Sequence, residues 1–196
     1  MRNFVDEVVK CKPNMVYINL EKKDLQKIDD FVRAVIEQKS GEAHHIIDHG
    51  HEYKRFFTGM MGERAMEILF GVGFIDWSIG YSNDYNTADL RLLGYDVGIK
   101  TVELHKFPII HKVAHRPELI NIRRTEDTII LCGLATVDVL NQYQDDDLIL
   151  SPALRRRGTK TGFYGFEQLR KIETLKDIDD VLNESSSAKK KTWLWR

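Results

Sequence analysis

Two amphipathic helical stretches, a run of strand signals and then further helical segments predict an α/β chain with a central mixed β-sheet flanked by helices. Met15 to Glu21 alternates well enough for a short strand. From Asp24 to Gln38, Leu25, Ile28, Phe31, Val32, Val35 and Ile36 recur at helical spacing, and Ser40 and Gly41 end that helix. A second helix is expected from Glu52 to Phe70, with Phe56, Phe57, Met60, Met61, Ala65, Met66 and Leu69 on its apolar face. Strands are expected over Phe74–Ile79, Thr87–Leu93, Tyr95–Glu103, Leu119–Arg123 and Thr128–Leu134. Asp138–Tyr143 reads as a short helix. The glycine-aromatic stretch beginning at Gly162 is expected to continue as a helix over Phe163–Ile172, with a last helical piece at Ile178–Leu182. Residues 184–196, Ser-rich and then basic, are expected to form a flexible tail, leaving residues 1–183 as a single domain.

A chain of 196 residues can bury a continuous core without disulfides or structural metals. Its two cysteines, Cys11 and Cys132, sit in apolar surroundings and read as reduced packing residues, neither with a local base that would make it a nucleophile. The N-terminus carries Asp6 and Glu7, and no stretch approaches the roughly 20 apolar residues of a membrane span. No signal peptide, no membrane and a cytoplasmic location are therefore expected. The net charge of −1 argues against a wholly basic coat protein, but a local positive patch is enough to engage phosphates. Such patches exist. Arg155, Arg156, Arg157, Lys160, Arg170 and Lys171 face one acidic residue, Glu167, in their stretch, and His105, Lys106, His111, Lys112, His115 and Arg116 form a second.

The most informative stretch is Ala88 to Thr101. If Gly94 and Tyr95 form a two-residue type II′ turn, Leu93 pairs with Asp96 and Asp89 lies opposite Lys100. Leu90, Leu92, Val97 and Ile99 then share the core face, while Asp89, Arg91, Asp96 and Lys100 share the polar one. Directly opposed Cβ atoms stand about 5 Å apart, so a carboxylate and an ammonium meet on a rigid surface. A longer loop would break that pairing. Phosphodiester hydrolysis needs such a pair: the carboxylate to hold Mg²⁺, which acidifies a water, and the lysine to orient that water or stabilise charge on phosphate. The plain alternative is a solvated ion pair, worth well under about 1 kcal/mol.

Upstream, Gly62-Glu63-Arg64-Ala65 puts Glu63 on the second helix, just before the strands begin. Together these motifs resemble the PD-(D/E)xK nuclease superfamily over roughly residues 61–134. The resemblance implies a restriction endonuclease-like core with Asp89 as metal-binding aspartate, Lys100 as lysine and Glu63 as helix carboxylate. One position departs: the family's second acidic residue falls on Gly98. Either a carboxylate has migrated, with Glu63 and Asp96 as candidates, or activity is lost and the fold only binds. Glu103 has the wrong parity unless a bulge intervenes.

Among other groups, His44, His45, Asp48, His49 and His51 are the densest set of metal-type ligands, but lack a Cys-x-x-Cys or second histidine pair and read better as a polar loop. Lys54 and Arg55 are placed to reach a phosphate or to be solvated. Asp145, Asp146 and Asp147 read as a solvated turn, and Trp193 and Trp195 as part of the tail. The expectation is therefore a Mg²⁺-dependent deoxyribonuclease, with Mn²⁺ as substitute, acting on DNA as a homodimer in a restriction or phage-related role. Glu63, Asp89 and Lys100 are its catalytic residues, and Asp89, Glu63 and Asp96 its metal set. Arg91, Arg155, Arg156, Arg157 and Lys160 contact nucleic acid. The alternative is a non-catalytic nucleic-acid-binding protein on the same fold.

Overall fold

A computed structural model describes residues 2–39, 52–79 and 87–193. In chain order the elements are α1 (Phe4–Val8), β1 (Val16–Asn19), α2 (Lys22–Lys39), α3 (Glu52–Phe70), β2 (Gly98–Glu103), β3 (Ile109–His111), β4 (Glu118–Arg123), β5 (Thr128–Ala135), α4 (Val137–Gln142), β6 (Gln144–Asp145), α5 (Pro152–Arg157), β7 (Lys160–Phe163) and α6 (Leu175–Trp193). The main sheet has the order β1-β5-β4-β2, and is mixed: β1 with β5 and β5 with β4 run antiparallel, whereas β2 runs parallel to β4. A small antiparallel sheet, β3-β7-β6, lies apart from it in hydrogen bonding.

Both faces of the main sheet are covered, which is why β5 reads as an unbroken apolar run rather than an alternation. On one face Ile129 and Leu131 join Ile28 and Val32 of α2, Met61, Ala65 and Met66 of α3, and Ile178 and Val181 of α6. On the other, Ile130 and Cys132 join Phe4 and Val8 of α1, Leu140 of α4, and Ile110, Phe163 and Phe166. Cys11 and Cys132 are both free and buried in this second layer. Among the described residues no helix is long and apolar enough to cross a membrane.

The expected hairpin does not form. Phe74–Ile79 has no strand partner among the described residues, and the Thr87–Leu93 segment is a turn followed by a 3-10 turn at Arg91–Leu93. Gly94 closes that turn at φ 87°, donating its N–H to Arg91 O, so its left-handed backbone caps a 3-10 turn and not a II′ hairpin. Leu92, expected on the core face, is therefore rotated out and 65% exposed, while Leu90 stays fully buried. The expected helix over Phe163–Ile172 is likewise replaced. Its start belongs to β7, a 3-10 turn spans Phe166–Gln168, and Arg170 then exchanges two backbone hydrogen bonds with Leu134 of β5. Anchoring by buried Phe163 and Phe166 overrides local helix preference there. Finally, α6 runs on through Glu184, where a tail was expected to begin; Arg170 pairs with Glu184, and Ser185 Oγ donates to Val181 O.

Candidate active site at the edge of the main sheet

The site starts from a glycine in α3. A Cβ on Gly62 would come within 1.7 Å of Thr101 Oγ1, so only glycine lets α3 lie this close on β2. That approach brings the next residue, Glu63, to the rim of the sheet. β2 is an edge strand. Its Gly98 N–H donates to Pro117 O on the β4 side at 2.9 Å, and the next amide, Ile99 N–H, turns to the free side and donates to Asp89 Oδ2. Asp89 thus reaches β2 through a side-chain bond to backbone, not through the ladder register expected from the sequence.

Asp89 lies between two charged groups. On the helix side, Glu63 is pushed up to about 8, first by burial and then by the neighbouring Asp89 and Glu67 carboxylates. On the other face of β2 stand Lys100 and Glu118. Glu118 opens β4 and is the cross-strand partner of Gly98, so a Cβ at Gly98 would meet Glu118 Cγ at 3.5 Å and Asp89 Oδ2 at 3.6 Å. The carboxylate missing at Gly98 therefore has a substitute on the neighbouring strand. Burial is the first cause raising the pKa of Glu118, with Lys100 acting against it, and Asp89 is raised by burial against the Ile99 amide and Lys100. Glu118 Oε2 is buried with no hydrogen-bond partner among the described residues. Burial and then the charge of Lys100 lower the pKa of Lys160 of β7, with Glu118 acting against them, and its Nζ lies 2.7 Å from His111 Nε2. The His111 and His115 rings meet edge-on at 5.7 Å.

Of the residues expected from the sequence, Glu63 and Lys100 act on Asp89 from opposite sides of β2, and Lys160, not the arginines beside it in the chain, acts on Lys100. Asp96 does not join: it is 75% exposed, with Arg116 Nε at 3.7 Å. Arg91 is exposed and, with Glu63 and Asp89, lines a cavity of about 430 Å³. Arg155 is tied down by donating to Ile149 O and Asp147 O, whereas Arg156 and Arg157 are exposed on α5. Lys54 and Lys106 pair with Glu103, Asp146 accepts from Lys112, and Asp145 pairs with Arg2, which gives these groups structural partners. The histidines between His44 and His51 lie outside the described residues. Glu118 was missed because its register with Gly98 arises from parallel pairing of strands distant in sequence; Glu-Leu-Ile at a strand start carries no local mark of that.

Comparison with protein-family models, with curated proteins and with solved structures finds no match for this chain.

Proposed function

We propose that the chain is a Mg²⁺-dependent deoxyribonuclease, hydrolysing phosphodiester bonds on a restriction endonuclease-like core and acting as a homodimer. The observation that carries the proposal is the pairing of Glu118 with Gly98 beside Asp89 and Lys100, which restores a second carboxylate where the motif lacks one. Among the described residues, no three His, Cys, Asp or Glu side chains already form a cation cage. Mg²⁺ does not require one, since it keeps several waters and is held by one or two carboxylates together with substrate phosphate. The unpartnered Glu118 Oε2, and Asp89 set between Glu63 on one side and Glu118 on the other, all of raised pKa, suit a cation.

Asp89 and Glu118, with Glu63 from the helix side, would hold the ion. When bound, Mg²⁺ neutralises phosphate charge and acidifies a water. Lys100 then orients the attacking water or meets the negative charge growing on phosphorus-bound oxygen. Lys160 adds a second cation on the same face and holds the phosphate in place. A second reading, which Gly98 at the motif's acidic position favours, is a nucleic-acid-binding protein without catalysis. Nicking of supercoiled plasmid in Mg²⁺ or Mn²⁺, compared with EDTA, separates the two. Metal-dependent nicking that Asp89→Asn removes is expected. DNA binding by the folded chain with no cleavage in either metal would leave the binding reading alone.

A further inference from the structure

We infer that the cavity beside Asp89 receives a single unstacked nucleobase, so that the preferred substrate carries an unpaired or extruded nucleotide next to the scissile phosphate; this rests on the nuclease reading above. The cavity measures about 430 Å³, within the range of small-molecule pockets. Phe31 and Val35 of α2, Phe56 and Met60 of α3, and Phe74 wall it. Glu63, Asp76, Asp89 and Arg91 add the polar groups. A base has two apolar π-faces and a polar rim, and this lining offers aromatic and aliphatic walls with a few polar contacts. Bases stacked inside a duplex cannot enter such a pocket. Leu92, 65% exposed, lies at the same lining and would gain cover from a bound base.

The placement of the charges fits the same nucleotide. Asp89 belongs both to the cavity lining and to the group containing Lys100 and Glu118, and Lys100, next to Thr101 in the strand, lies on the opposite face of β2 from α3. A nucleotide with its base in the cavity would leave its phosphate at Asp89, facing Lys100.

The test is equilibrium binding of the parent chain in EDTA, where no cleavage occurs, to three labelled duplexes of one sequence. One is fully paired, one carries a single unpaired base, and one carries an abasic site at that position. The unpaired base is expected to tighten binding about tenfold over both others, within the range of one base–aromatic stack. Leu92→Ser, on a residue 65% exposed, and Phe31→Ala are each expected to remove the advantage. Equal affinity for all three duplexes, a preference for the abasic site equal to that for the unpaired base, or an advantage surviving both substitutions overturns the inference. Plasmid nicking without the preference leaves the nuclease reading intact and this inference void; the preference without nicking does the reverse.

Discussion

Two carboxylates one turn apart on α3 meet opposite fates. Glu67, 5% exposed, is saturated: its Oε1 accepts the Phe74 and Ile75 amides at 2.7 and 2.8 Å, and its Oε2 takes Arg64 at 2.8 Å. Arg64 in turn grips Asp24 of α2 at 2.8 Å, so the cluster ties α2, α3 and the chain leaving α3 together. Glu63, one turn earlier, makes no hydrogen bond or ion pair among the described residues and faces Asp89 instead. The residue type and the helix are the same, and only the partners differ. A buried carboxylate with both oxygens engaged ties elements together, whereas one set beside other carboxylates without such partners holds its proton to higher pH.

The largest effect expected is at Asp89. Asp89→Asn keeps an acceptor for the Ile99 amide but removes the charge, and should lower Mg²⁺-dependent cleavage by about 1000-fold, several kcal/mol of transition-state stabilisation. Circular dichroism and melting should match the parent. Full cleavage by that variant would take Asp89 out of the site. Next comes the saturated carboxylate. Glu67→Ala leaves the Phe74 and Ile75 amides without their acceptor and Arg64 with Asp24 alone, and should cost about 2–4 kcal/mol in urea titration. A loss below about 1 kcal/mol would erase the contrast between the two turns.

Stability should also depend on pH through Glu63. The folded-state pKa of Glu63 lies above its ordinary 4.5, at about 8, so the folded chain holds this proton more tightly than the unfolded one. The resulting stability is complete below about pH 4.5 and is lost as pH rises through about 8. Asp89 and Glu118 are raised in the same sense. Glu63→Gln should flatten the fall in melting temperature over this interval, and Mg²⁺ should flatten it in the parent. Parallel curves for parent and variant would mean that Glu63 does not titrate in this window. The smallest effect is at the rim. Arg156→Glu with Arg157→Glu should reduce the log–log salt slope of DNA binding by about 0.9 for each phosphate that is no longer engaged. Arg155 is left out because its guanidinium supports the loop at Asp147 and Ile149. An unchanged slope would make the pair a solvated surface.

Much of the scaffold was legible. α2 and α3 stand within two residues of their expected limits because each shows apolar residues at helical spacing over many turns. β1, β4 and β5 were legible for a similar reason, through short apolar runs bounded by polar residues. The Asp89 segment was not, because a glycine at positive φ serves a II′ hairpin and the end of a 3-10 turn equally well, and nothing local in Leu92-Leu93-Gly94 chooses between them. The proximity of Asp89 to β2 was anticipated, but by the wrong bond. β3, β6 and β7 went unseen because strands of two to four residues carry too little pattern. With them went the surroundings of Lys160, whose meeting with Lys100 depends on the second sheet.

The carboxylate of Asp89 has one more consequence, which concerns solubility rather than chemistry. Among the described residues β2 has a strand neighbour on one side only, and an open strand is a template on which other chains can polymerise. By engaging the Ile99 amide and placing negative charge there, Asp89 blunts that template from within the chain. Asp89→Ala would lift the guard together with the chemistry, leaving a strand inclined to zip onto its own copies. Aggregation in that variant would then report an unguarded border, while Asp89→Asn, which keeps the bond, stays dispersed.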